Sequence, residues 1–318
     1  MQATAEFKRV EHPLELLKWQ EQWQNSLLAP QDGMWESFRT EARHWAIIYA
    51  EETIGYAVED EENGLLNFFV EFHIFPKSAD FLQQFLEQKK ITKGLIGTHN
   101  PQALTPALHC QKSVTLHTYL FSVPQVVKAV AIATDAAERP ESRGARGSTV
   151  GALRVQSTRP PEESARVSAE MPPPAEVQNL PPILQGTNFA QAQISDLERL
   201  IDFYHLGMEA PRTWLSKYLA AYQAEGACYF LEKAGEIIGA CEVRASESQP
   251  EVADIGMVVG VAYRQQGIGS YLLGQAKQLA WASGRQPICS CEVENIGSRK
   301  SIEANGFRSE YQLLSLSF

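Results

Sequence analysis

The stretch 255–279, IGMVVGVAYRQQGIGSYLLGQAKQL, constrains the fold more than any other part of the chain. A short apolar run opens it and reads as a buried strand. The chain then turns through Arg264, Gln265, Gln266, Gly267, Ile268 and Gly269 and continues as a helix with Ile268, Leu272, Ala276 and Leu279 on one face. Glycines at a strand-to-helix turn permit positive φ and a close approach of the backbone. The first amides of a helix lack partners inside it and lie at the positive end of its dipole. Two readings follow: a tight corner that needs glycine, or a cradle whose amides hold a phosphate, with Arg264 adding a cation. No Gly-Lys-Ser/Thr follows, so this is not a nucleotide P-loop, and a dinucleotide fingerprint would need a third glycine.

A length of 318 residues suggests two domains. The formal charge of −10 argues against nucleic acid as a partner, since that needs a basic face. No apolar run approaches the roughly 20 residues that span a bilayer, and the first residues lack the apolar core of a signal peptide. A soluble cytoplasmic protein without membrane contact is expected. Cys110, Cys228, Cys241, Cys289 and Cys291 lack disulfide or zinc spacing, so no metal is expected. Cys289 and Cys291 alternate on one face of a strand and read as buried thiols.

Along the first part, 13–28 places Leu16, Trp19, Trp23 and Leu27 on one helical face. Strands are expected at 46–50 and 54–60 around the turn Glu51-Glu52-Thr53, at 65–75 up to Pro76, at 94–100 and at 114–121, with a helix at 79–89. Eight of the 17 prolines then fall between Pro140 and Pro182, with no sustained apolar period. Such a segment buries too little surface to offset its ordering entropy, so 128–184 reads as a disordered linker. Beyond it come a strand at 189–193 and a helix opened by a Ser195/Glu198 capping box. A helix from Pro211, a hairpin turned at Ala234-Gly235, the strand-turn-helix, a strand at 287–295, a short helix and a last strand complete the order β-α-α-β-β-β-α-β-α-β.

That order and the turn Arg264-Gln265-Gln266-Gly267-Ile268-Gly269 resemble the GCN5-related N-acetyltransferase (GNAT) superfamily. So does Asn295 followed by Ser298 and Gly306-Phe307. The resemblance covers about 185–318. It implies a twisted mixed sheet whose fourth and fifth strands splay to admit acetyl-CoA. The pyrophosphate would rest on amides of Gln265, Gln266, Gly267, Ile268 and Gly269 beside Arg264, and the pantetheine would run along Met257, Val258 and Val259. Asn295 and Ser298 would contact the pantetheine or simply start a helix. The first part can be laid on the second: Ile54-Gly55 answers Ile238-Gly239, and Asn100 with Ala103 answers Asn295 with Ser298. No glycine turn is present there. The fold class is therefore α/β (α+β). A degenerate GNAT-like domain at 1–127, which could also be an unrelated α/β domain, and a linker precede an acyl-CoA-binding GNAT domain at 185–318.

Direct attack of an amine on the thioester needs a base, and a carboxylate can serve. The resemblance puts Asp254 at the family's acidic position. Glu292 and Glu294, two apart on a strand, are weaker choices. Tyr204, Tyr218 and Tyr222 on the two helices are candidates for the acceptor pocket or the core. At the family's tyrosine position stands Ile302, which cannot donate a proton, leaving water or Tyr311 as the acid. The implied function is N-acetylation of an amine, of a small molecule ahead of a protein. A non-catalytic acyl-CoA-binding or sensing protein is the alternative.

Overall fold

The structure, a computed structural model, describes residues 4–124 and 181–318. Most of the expected linker, up to residue 180, lies outside the described residues. Its last part does not read as disordered: Pro182–Leu184 forms a 3-10 turn, and Leu184 is buried in the second half's core.

In the first half the order is β1 (Glu6–Val10), α1 (Leu17–Asn25), α2 (Gly33–Glu41), β2 (Arg43–Tyr49), β3 (Glu52–Glu59), β4 (Gly64–Val70), α3 (Ser78–Lys89), β5 (Lys93–Gly97), α4 (Pro101–Cys110) and β6 (Ser113–Ser122). The second half repeats it as β7 (Thr187–Gln191), α5 (Leu197–Met208), α6 (Arg212–Ala224), β8 (Cys228–Lys233), β9 (Glu236–Ala245), β10 (Val252–Val259), α7 (Ile268–Ala282), β11 (Gln286–Glu292), α8 (Ile296–Ala304) and β12 (Arg308–Ser317). Helices cover both faces of the sheet. In the first half Phe81 and Phe85 of α3 lie in one core, and Trp23 of α1 lies in another. In the second half α7 brings Leu272 and Ala276 to one face, while α5 and α6 bring Leu200 and Leu219 to the other. No helix among the described residues is long and apolar enough to cross a membrane.

Several local readings shift. The run 65–75 is a strand only to Val70. Glu71 then donates its N–H to Ile54 O (2.8 Å), and the chain coils through Phe72–Lys77 with Phe72 82% exposed. The box that opens α5 is Gln193 with Asp196, whose carboxylate accepts from the Gln193 N–H (2.9 Å), rather than Ser195 with Glu198. Helix α1 stops at Asn25, and β11 stops at Glu292, leaving Glu294 in the turn beyond. Strand β1 and helix α2 are not apparent from the apolar period; α2 is announced only by Asp32, whose side chain caps Met34 N and Trp35 N.

The larger difference is in how the halves close. Among the described residues all twelve strands form one sheet, in the order β1-β2-β3-β4-β5-β12-β6-β11-β10-β9-β8-β7. Each unit is expected to end on its own last strand. Instead β12 pairs with β5 of the first half, and β6 pairs with β11 of the second, while β6 and β12 pair with each other. Side chains travel with the strands. Leu316 and Phe318 lie in the first half's core, and Phe121 lies in the second half's core. Neither half is complete without the other's final strand.

Phe318 is the chain's last residue yet belongs to the core built around Phe81 and Leu65. Phe318→Ala is expected to cost about 3 kcal/mol, read as a lower midpoint of one cooperative urea transition. A change near zero would contradict the strand exchange.

Candidate functional site

Strands β10 and β11 are parallel but pair only from Val252 with Gln286 to Asp254 with Ile288. Beyond that point β10 stays with β9 and β11 with β6, so the two part. The edge of β10 from Gly256 to Val259 then faces a gap, with no strand on that side among the described residues. Helix α7 begins beside the gap. No side chain caps it, its N-cap is Gly267 at φ 84°, and Gln265 is also left-handed at φ 61°. Gly267 is thus needed for its conformation. Gly269 sits closely packed: a Cβ there would lie 3.2 Å from Ser301 Oγ and 3.4 Å from Met257. Arg264 does not reach into the gap. Its Nη2 donates to Gly207 O (2.7 Å) and its Nε to Val259 O (3.3 Å), fixing the turn against the end of α5.

One face of the strands at the split is polar. Ala240, Glu242 and Arg244 on β9 stand opposite Val258, Gly256 and Asp254 on β10, and alternation sends them all toward α5 and α6. Arg244 Nη2 donates to Asp254 Oδ2 (2.8 Å), and Arg244 Nη1 donates to the Tyr218 hydroxyl. Tyr218 in turn donates to Glu242 Oε1 (3.4 Å). Gly33 of α2 donates its N–H to Asp254 Oδ2 (3.0 Å). Asp254 is 2% exposed, and burial pushes its carboxyl up to about 7 against the pull of Arg244. Among the described residues Asp254 Oδ1 and Arg244 Nε are buried without a hydrogen-bond partner.

Glu242 is the residue that sequence reasoning missed. Its carboxylate lies over Gly256, where a Cβ would approach Glu242 Oε2 to 2.6 Å. Gly256 is the second residue past the last β10–β11 pair, so this carboxylate stands where the strands open. The available signal was an acid in the middle of the otherwise apolar strand EIIGACEVRA, opposite a glycine on its neighbour. Asp254 by contrast takes the bonds from Arg244 and Gly33 both on Oδ2.

The other expected residues scatter. Met257 and Val259 line the β10 edge, and Val258 packs inward against α5. Asn295 caps α8, accepting from Ser298 N (3.1 Å). Glu292 is exposed at the end of β11, and Glu294 is exposed beyond it. Gln266 and Ile268 flank Gly267, Ile268 being buried under β9. Tyr204 is core, whereas Tyr218 joins the polar face. Ile302, at the tyrosine position, is 2% exposed in the core. Tyr311 lies on β12, edge-on to His99, lining a cavity of about 20 Å³ with Asp32, Ser122, Ile288 and Cys289. Burial lowers His99 to about 4, so it is neutral at pH 7.

The first half has the same split and closes it. Strands β4 and β5 pair only at Gly64 with Lys93 and Leu65 with Gly94. Asn100, beyond β5, donates to Asn67 Oδ1 on β4 (2.9 Å), and Asn67 donates to the Tyr56 hydroxyl (2.9 Å). Counting back from the matched pairs Gly55 with Val70 and Gly239 with Val259, Asn67 and Val58 occupy the places of Gly256 and Glu242. A buried amide bridge therefore stands where the second half has an open gap and an acid.

Comparison with known families matches residues 14–123 to the acetyltransferase (GNAT) domain and 193–307 to the acetyltransferase (GNAT) family. Among solved structures, the chain resembles an acetyltransferase from the GNAT family of Colwellia psychrerythraea. The two are 18% identical over 98% of this chain and 99% of that one, with a TM-score of 0.77. A GCN5-related N-acetyltransferase from Sphaerobacter thermophilus is 12% identical over 99% and 95%, with a TM-score of 0.62. These likenesses concern the fold. No curated protein matches the chain.

Arg244→Met would leave Asp254 buried without its cation, a loss of about 3–5 kcal/mol. The folded-state pKa of Asp254 would rise further above the unfolded value of about 3.9. The folded state then binds more protons than the unfolded one across that interval, so stability falls as pH rises. Urea melts should show a larger loss at pH 8 than at pH 5; equal losses would contradict the pairing.

Proposed function

Because the chain belongs to the GNAT acetyltransferases, with one such domain at 14–123 and a second at 193–307, we propose that the second domain transfers an acetyl group from acetyl-CoA to an amine by direct attack in a ternary complex. The observation that carries this reading is the contrast between the two splits. One is open beside an uncapped helix start and is overlooked by Glu242; the other is bridged by Asn67 and Asn100. We assign 1–127 as the degenerate copy and 185–318 as the working domain.

The pyrophosphate of acetyl-CoA would lie on the amides from Gln265 to Gly269, at the positive end of α7. The pantetheine would extend the sheet along Met257 to Val259, whose outer edge has no strand. The amide of that edge nearest the thioester would polarise its carbonyl. Arg264 serves by holding the turn through Gly207. Asn295 and Ser298 start α8 next to the gap. Glu242 takes the role of base, and Asp254 holds Arg244. Glu242 with the exposed Glu292 gives the face an acidic character that suits a cationic amine. Helix α2 covers the Asp254 side, which favours a small molecule over a protein chain. The buried Ile302 favours a rival, a binder of acyl-CoA that no longer turns over, because it leaves the tyrosine position without an acid.

Turnover of acetyl-CoA with a panel of amines separates the two. Glu242→Gln is expected to lower kcat by about 100- to 10,000-fold with acetyl-CoA affinity retained. Unchanged turnover would remove Glu242 as the base, and no turnover of any amine by a protein that binds acetyl-CoA would favour the binder.

A further inference from the structure

The first half reaches into the second half's polar face. The segment 24–36 lies along the β9–β10 hairpin. Gln31 donates its N–H to Gln249 Oε1 (2.8 Å), and the Glu36 carboxylate accepts from Ser246 Oγ and Ser248 N (both 2.9 Å). These bonds aim the start of α2 at the buried Arg244–Asp254 pair. Gly33, its first residue, donates to Asp254 at the positive end of the helix. The approach is close: a Cβ at 33 would sit 3.0 Å from Asp254 Oδ2, so the carboxylate would have to give way slightly. From there a chain of hydrogen bonds runs through Asp254, Arg244 and Tyr218 to Glu242.

We propose that helix α2 of the first half positions Glu242 in the second, by holding Asp254 ionised as the counter-ion that keeps Arg244 and Tyr218 in place. The proposal rests on the acetyl-transfer reading above. While Asp254 is charged, Arg244 is neutralised and its other arm holds Tyr218 toward Glu242. Once Asp254 takes up a proton, the carboxylates left facing Arg244 are Glu242 on its own strand and Asp32 before α2, and pairing with Glu242 quenches the base. The titratable and charged groups that face Asp254 are Arg244 and Glu242 from β9, Asp32 before α2, Tyr218 and Tyr222 from α6, and Cys289 from β11. Asp32 opposes ionisation and the Gly33 amide supports it. Two changes in the first half, outside the site, should therefore act in opposite directions.

Asp32→Asn keeps a capping side chain and removes one negative charge. Gly33→Pro removes the donated N–H at the first helical position, where proline is tolerated, and the Asp32 ψ of 136° suits a residue before proline; its Cβ also crowds Asp254 Oδ2, and both effects withdraw support from the ionised carboxylate. The Asp254 and Glu242 carboxyl carbons of the full-length protein are titrated by NMR, and kcat is followed over the same pH range. Asp32→Asn should move the Asp254 midpoint and the acid limb of kcat down together by about one pH unit, and Gly33→Pro should move both up by a similar amount. Acetyl-CoA affinity should hold in each. Glu41→Gln, at the exposed far end of α2, should move neither. In every protein the Glu242 signal should shift through the Asp254 midpoint. A midpoint unmoved by Asp32→Asn, or a Glu242 signal indifferent to it, overturns the proposal, as does a kcat limb that stays while the midpoint moves. If Gly33→Pro does not fold, Asp32→Asn decides alone. Absence of turnover in the wild-type protein would count against acetyl transfer, and the two carboxyl titrations would still decide the coupling.

Discussion

Two parallel strands that part leave backbone donors and acceptors on their facing edges, and burying such groups unpaired is costly. The sheet contains this problem twice. In the first half a side-chain bridge spans the split: Asn100 reaches Asn67 across the gap, and Asn67 is held by the Tyr56 hydroxyl on the neighbouring strand. In the second half no side chain among the described residues does so, because Gly256 stands at the register of Asn67 and offers no side chain for Asn295 to reach, although Asn295 caps α8 just as Asn100 caps α4. The open edge of β10 is then a place for an extended ligand to add as a strand, and the uncapped start of α7 beside it is a place for an anion. The same element order thus yields one bridged split and one open split, through a few side-chain changes.

The strand exchange makes this asymmetry a property of one folded unit. Strand β6 carries Phe121 into the core under α7, and β12 carries Leu316 and Phe318 into the core under α3. A first domain that merely preceded the second on the chain would leave the second sheet to close by itself. Here it supplies a strand next to β11, and through α2 it also covers Asp254. Arg244 and Asp254 would be a costly buried pair if left alone. The Gly33 amide, Tyr218 and the helix end share the cost of their burial.

Much of this was legible because it is local. The glycine turn, the hairpin at Ala234-Gly235 with both residues at positive φ, and the element order of the second half follow from backbone chemistry within a few residues. So does the apolar face of α7, although Leu273 and Ala280 are buried as well as Leu272 and Ala276. The exchange of β6 and β12 was not legible. Both strands alternate, both are ten residues long, and nothing in their pattern says which sheet each will join. Helix α2 was hidden because none of its apolar residues, Met34, Trp35 and Phe38, is fully buried. Glu242 was hidden because an acid in a strand gains meaning only when the partner strand shows a glycine opposite it. Asp254 drew attention by position along the sequence, and only its partners reveal it as half of an ion pair.

The central claim is that one of two like domains keeps a working cleft. Calorimetric titration of the full-length protein with acetyl-CoA tests it most directly through the stoichiometry. The account predicts one site per chain, lost in Gly269→Glu, where a carboxylate would enter the first turn of α7. Two sites per chain would show that the Asn67–Asn100 bridge does not seal the first cleft. No binding would leave the fold standing and remove the function read from it.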